Sequence, residues 1–121
     1  MKIHESGEMY LENIYVLRER LERVRSIDIV NYSGYSKPSI SRAVKLLNNA
    51  GYIEVDSEGY ITLTAIGEEL ARKIFARHEM LTSFLVSIGV DETTASEDAC
   101  RMEHVISDVT YEKIRDFCLK S

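Results

Sequence analysis

The sequence predicts a mainly α-helical chain with one small β-hairpin: an N-terminal winged helix-turn-helix over residues 1–64, then a helical region over residues 65–121. Three observations carry this. Two short helical patterns flank the turn signal SGYS at 33–36, and short alternating apolar segments bracket DSEG at 56–59. From there to the C-terminus, apolar residues recur at spacings of three and four.

In GEMYLENIYVLRERLERV, Leu11, Ile14, Leu17 and Leu21 recur at helical spacing among charged residues, which predicts a first amphipathic helix at about 5–22. In SIDIVNYSGYSKPSISRAVKLLNNAGYI, Ser26 is the expected N-cap of a second helix, which SGYS ends. Ser36 is the expected cap of a third helix, with Pro38 in its first turn, Ile40, Val44 and Leu47 as its buried stripe, and Gly51 past its end. Two short helices joined by a tight turn form a helix-turn-helix. YIEVDSEGYITLT then reads as a hairpin that serves as the wing: Ile53 and Val55 precede the turn, and Ile61 and Leu63 follow it. A long helix is expected from Thr64 to about Gly89, through Leu70, Ile74, Leu81, Phe84 and Ile88, with His78 on its polar side. Two more follow at about 92–106 and 109–119, the last capped by Ser107 or Asp108.

At 121 residues, 45% hydrophobic and 29% charged, the chain has the composition of an ordinary folded domain. No apolar run approaches the roughly 20 residues that span a bilayer, and the charged start MKIHESGE has no apolar stretch behind it. A cytoplasmic protein with no membrane partner is expected, and its two cysteines, Cys100 and Cys118, are expected to be reduced. The net charge of −5 argues weakly against a nucleic-acid partner. Residues 36–51 reverse that balance locally, with Lys37, Arg42 and Lys45 and no acidic residue. At the start of this helix Ser36, Lys37, Ser39, Ser41 and Arg42, around Pro38, are the short hydroxyls and long cations that bond phosphates and base edges. Arg42 and Ser39 are expected to face the groove, and Lys37 and Lys45 to lie nearer the phosphates. The plainer reading is a solvated helix face of a winged helix that binds protein. At the wing tip, Asp56 and Glu58 would repel phosphate, so a backbone grip by the wing is not expected.

ACRMEHVISD, residues 99–108, holds a second constellation. Cys100, Glu103 and His104 stand at i, i+3 and i+4, on one helical face. A thiolate, a carboxylate and an imidazole suit a transition metal. Met9 and Glu12 share a face at i, i+3 on the first helix. Taken singly, Met9 and Cys100 read as core filler, Glu12 as a solvated charge and His78 as a surface histidine.

EMYLENIY, SKPSISRAVKLLNNAGYI, LTAIGEELA, RHEML and EDACRMEHVISD resemble the diphtheria toxin repressor and manganese transport regulator family over nearly the whole chain, and the C-R-x-E-H-V-x-S-D run is specific. The resemblance implies a metal-activated repressor that dimerises and binds double-stranded palindromic operator DNA, with Fe²⁺ or Mn²⁺ as corepressor controlling metal-uptake genes. Co²⁺, Ni²⁺ or Zn²⁺ would substitute in vitro. Carried over by position, it implies a primary metal site of Met9, Cys100, Glu103 and His104, and a second drawing on Glu12 and His78. Iron-sensing relatives use Met and Cys at the positions of Met9 and Cys100, where manganese sensors use Asp and Glu, so this pair is similar to the iron type. Glu12 is similar to the manganese type. Thr82 and Ser96 depart from the iron type, standing where its pattern has a carboxylate and a histidine.

The apolar residues Val105, Ile106, Val109, Ile114 and Phe117 are the expected dimerisation surface; the alternative is that they close the core of one subunit. Neither a nucleophile–base pair nor a phosphate-cradling glycine loop is present, so no enzyme and no small-molecule substrate are expected. The competing readings are a metalloenzyme with a Cys/Glu/His site and a metal-independent winged-helix interaction module.

Overall fold

The computed structural model describes residues 5–120. The elements run α1 (Glu5–Arg20), α2 (Ser26–Ser33), α3 (Lys37–Asn49), β1 (Ile53–Val55), β2 (Ile61–Leu63), α4 (Ala65–Ser87), α5 (Glu92–Val105) and α6 (Asp108–Lys120). This is the expected mainly helical chain with a hairpin wing. It forms two compact units, the first ending at Arg72 and the second beginning at Lys73.

In the first unit, Leu11, Ile14 and Leu17 of α1 are buried with Ile29 of α2 and with Ile40, Val44 and Leu47 of α3. Each fully buried aliphatic side chain of this kind contributes about 1.5–3 kcal/mol. The helices therefore carry the unit, and the two three-residue strands add one buried residue each, Ile53 and Ile61. The helix-turn-helix depends on local chemistry. Gly34 closes α2 at φ +79°, a left-handed conformation that a β-carbon disfavours, and its N–H donates to the Val30 carbonyl at 2.9 Å. Ser36 caps α3 by accepting from the Ser39 N–H at 3.3 Å, and Pro38 occupies the first turn, where its missing N–H leaves nothing unpaired.

Two boundaries in the first unit differ from expectation. Arg25, not Ser26, is the N-cap of α2, because Asp28 three residues on accepts the Arg25 N–H at 2.8 Å; Ser26 is the first helical residue. The first helix ends at Arg20, leaving Leu21 beyond it and partly exposed.

The strands pair antiparallel, Ile53 opposite Leu63 and Val55 opposite Ile61. Asp56 folds the wing turn by accepting from the N–H groups of Glu58 and Tyr60, both at 2.9 Å. Val24 accepts the Ile61 N–H at 2.7 Å, stitching the segment before α2 to the hairpin. Thr64 joins the wing to α4: its hydroxyl donates to the Gly51 carbonyl at 2.7 Å and accepts the Gly67 N–H at 3.1 Å. Here α4 passes so close to the wing that a β-carbon on Gly67 would stand 1.8 Å from the Tyr52 carbonyl oxygen.

In the second unit Ile74 and Leu81 of α4 are buried, as are Ala95 and Ala99 of α5. Phe84 is half-buried, whereas Ile88 lies past the end of α4 and is exposed, because the helix gives way to Gly89 at φ +106°. Asp91 caps α5, accepting from the Thr94 N–H at 3.0 Å, a bond that holds its carboxyl below the usual aspartate range. Ser107 caps α6, accepting from the Thr110 N–H at 3.1 Å. Arg77 fastens the turn between α5 and α6: its guanidinium donates to the Ile106 carbonyl at 2.9 Å and to Asp108 at 3.0 Å, and lies over the Tyr111 ring. Among the described residues no helix is long and apolar enough to cross a membrane.

Candidate metal centre and nucleic-acid surface

The second unit brings four of the sequence-predicted ligands together. Helical spacing on α5 points Cys100, Glu103 and His104 inward as a group, with one donor atom from each lying within 4.8 Å of the others. His78 of α4 joins them. The Glu103 carboxylate has no solvent exposure; one oxygen is 3.2 Å from His78 Nδ1 and the other 3.1 Å from His104 Nε2. His104 is nearly as deep, at 3% side-chain exposure. This disposes of the reading of His78 as a plain surface histidine.

The donor set fits a divalent transition metal. A buried carboxylate is tolerated only where positive charge compensates it. Two imidazole nitrogens and a thiol converge here, and both Cys100 and Cys118 are free thiols. Neutral imidazoles supply lone pairs, a cysteine supplies a soft thiolate and Glu103 a hard oxygen, which together span the donors that iron, manganese, cobalt and zinc accept.

The two departures from the iron-type pattern both contact His78. The Thr82 hydroxyl donates to its carbonyl at 2.8 Å, and the Ser96 hydroxyl lies 3.5 Å from its Nε2. Ser96 thus approaches the ring and Thr82 only the backbone of His78, and neither supplies charge.

Met9 and Glu12 lie on α1 of the first unit, where Glu12 is buried and Met9 half-buried. The Met9 thioether sulfur accepts a hydrogen bond from the Tyr35 hydroxyl at 3.1 Å. Sequence spacing carried no signal for this contact, which joins residues 26 apart.

On α3 the predicted DNA-facing residues Ser36, Lys37, Pro38, Ser41, Arg42 and Lys45 are exposed, and Ser39 is half-buried. Ser36 and Ser39 share a hydroxyl contact at 2.9 Å, and the Arg42 guanidinium approaches the Ser39 hydroxyl at 3.4 Å. A feature of the wing also escaped sequence reading: Arg23 and Arg25 both lie over the Tyr60 ring, 4.8 Å and 4.3 Å from its centroid. Such stacking holds two cations beside the turn end of the hairpin, where Tyr60 precedes β2.

Of the predicted dimerisation residues, Val105, Val109 and Phe117 are 68%, 64% and 65% exposed, while Ile106 and Ile114 are half-buried. The first three therefore do not close the core of one subunit. Val109, Ile114 and Phe117 line a cleft of about 350 Å³ with Phe84, Thr110 and Lys113.

Comparison with known proteins agrees with this layout. Residues 2–61 match the family model described as iron dependent repressor, N-terminal DNA binding domain, and residues 64–120 match iron dependent repressor, metal binding and dimerisation domain. The chain is 35% identical over 118 residues to an HTH-type transcriptional regulator of Methanocaldococcus jannaschii, covering 96% of this chain and 94% of that one. It is 34% identical over 111 residues to the transcriptional regulator MntR of Escherichia coli, covering 92% and 72%. Among solved structures, that of the manganese regulator SloR superposes with a TM-score of 0.83 at 29% identity, covering all of this chain and 56% of that one. The chain belongs to the iron-dependent repressor family of metal-dependent transcriptional regulators, and is not an enzyme.

Proposed function

We propose that the protein is a cytoplasmic homodimeric repressor that takes Fe²⁺ or Mn²⁺ as corepressor and binds palindromic operators of metal-uptake genes. The observation that carries this reading is the fully buried Glu103 carboxylate between His78 and His104, beside Cys100. In this reading Cys100, Glu103 and His104 are the principal ligands, with His78 supplying a second imidazole. Met9 and Glu12 complete the donor set from α1, a role that rests on donor chemistry and family resemblance. A bound divalent ion supplies positive charge at the carboxylate and a preference for one donor set over another. Cys100 and Met9 favour softer metals, and Glu12 and Glu103 favour Mn²⁺.

Lys37, Arg42 and Lys45 dock α3 on DNA, with Ser36, Pro38, Ser39 and Ser41 at its leading end. Arg23 and Arg25 supply the phosphate contacts that the acidic wing tip does not. Val105, Ile106, Val109, Ile114 and Phe117 form the contact between subunits, because a two-fold operator requires two recognition helices in fixed register.

Metal and DNA binding are then linked: whatever factor metal adds to operator affinity, operator adds to metal affinity. The test begins with selection of high-affinity duplexes from a random library on Mn²⁺-loaded protein. The selected duplex is then titrated anaerobically with Fe²⁺, Mn²⁺, Co²⁺ and Zn²⁺ in parallel. Binding should rise steeply with metal, vanish on chelation and yield a two-fold symmetric sequence. Equal metal affinity with and without the duplex refutes the sensor mechanism, and a monomer by sedimentation at micromolar concentration refutes the dimer.

A further inference from the structure

We propose that Tyr35 competes with metal for Met9 and so sets how strongly the site prefers soft metals. The inference rests on the reading of Met9 as a ligand and goes beyond it. The Tyr35 hydroxyl donates to the Met9 sulfur at 3.1 Å, and the Tyr35 ring is steadied edge-on against Tyr10, with centroids 5.7 Å apart and planes at 79°. A thioether is a weak acceptor, and Tyr35, a residue 42% exposed, has water as an alternative partner. The bond is therefore easily exchanged. The bond occupies one of the two lone pairs of the Met9 sulfur and draws electron density from it, so a sulfur engaged by Tyr35 is the poorer ligand for an ion. Tyr35 lies in the turn between α2 and α3, one residue before the cap Ser36. Capture of the sulfur thus also frees the hydroxyl of the residue that precedes the cap of the recognition helix. Tyr35 acts through Met9 and is a positioning residue, not a ligand.

The test uses the full chain without DNA and compares Co²⁺, followed anaerobically by its visible absorption, with Mn²⁺, followed by the resonance of the free ion. Tyr35→Phe keeps the ring contact with Tyr10 and removes only the hydroxyl. Removing one net hydrogen bond's worth of competition should tighten Co²⁺ roughly two- to tenfold. Mn²⁺, which gains little from a thioether, should tighten less. Met9→Leu should weaken Co²⁺ in the parent and abolish the gain in the double variant. Unchanged Co²⁺ affinity in Tyr35→Phe, with Met9→Leu weakened, overturns this inference and leaves the ligand reading standing. Unchanged Co²⁺ affinity in Met9→Leu overturns both. A Tyr35→Phe gain that survives Met9→Leu shows that the hydroxyl does not act through the sulfur, and overturns the inference.

Discussion

The Glu103 carboxylate is sandwiched between two imidazoles, His78 Nδ1 at 3.2 Å and His104 Nε2 at 3.1 Å, and is sealed from solvent. Its charge is what the site needs. Glu103→Gln, nearly isosteric but neutral, should lower Mn²⁺ and Co²⁺ affinity by more than about a hundredfold, beyond the 10–100-fold typical of losing a supporting partner outside the ligand set. Calorimetry that finds a smaller loss would move Glu103 out of the ligand set.

Gly67 should resist a substitution that ordinarily helps helices. In a helix interior Gly→Ala gains about 1 kcal/mol. Here the new β-carbon would meet the Tyr52 carbonyl at 1.8 Å, and backbone cannot step aside as a side chain does. Overpacking of this kind costs about 1–3 kcal/mol, so Gly67→Ala should be destabilising on balance. Urea unfolding with an unchanged or raised midpoint would contradict the packing of α4 on the wing.

Arg42 and Lys45 should differ in kind. Loss of a bidentate arginine costs about 1–3 kcal/mol of discrimination at one base pair, whereas loss of a phosphate-contacting lysine weakens all sequences alike. Arg42→Ala should therefore broaden preference at one position of the selected duplex and Lys45→Ala at none. Binding measured against single-base variants of that duplex separates the two.

Arg23 and Arg25, stacked on Tyr60, should act as phosphate contacts. Replacing each with Ala should reduce the slope of log affinity against log salt by about 1, with sequence preference retained. An unchanged slope would confine these arginines to holding the wing.

Asp91 links stability to pH. Its carboxyl is lowered from the ordinary aspartate range first of all by the Thr94 N–H. A depressed folded-state value means the contribution is complete above the unfolded aspartate range and is lost as pH falls through the folded one. Asp91→Asn retains an oxygen to cap α5 but has no proton to take up. Its unfolding midpoint should fall less than that of the parent between pH 5 and the acid limit, reckoned from aspartate's unfolded value of about 3.9. Parallel acid curves would remove Asp91 from this role.

Much of the architecture was legible because its causes are local. The α3 cap by Ser36, Pro38 in its first turn, the φ-positive Gly34 and Gly51, and the buried Ile40–Val44–Leu47 stripe are all decided within a few residues. The Cys100–Glu103–His104 face was legible for the same reason, since one helical turn brings its three donors together. Ser26 misled because serine is a common cap, but the acceptor for the first N–H came from Asp28, and the cap moved to Arg25. Ile88 misled because an apolar period continued on paper past the point where Gly89 turns the chain.

The sequence by itself determined the order and type of the elements, the basic face of α3 and the donor types available for a metal. These follow from backbone propensity and side-chain chemistry, which act over one or two turns. Tertiary structure alone decided that His78 meets Glu103 from another helix, that Tyr35 reaches Met9, that Arg23 and Arg25 share Tyr60, and that Gly67 must remain glycine. Each of these depends on where separate segments cross, and crossing is set by how buried surfaces pack together, a property of no single stretch of chain.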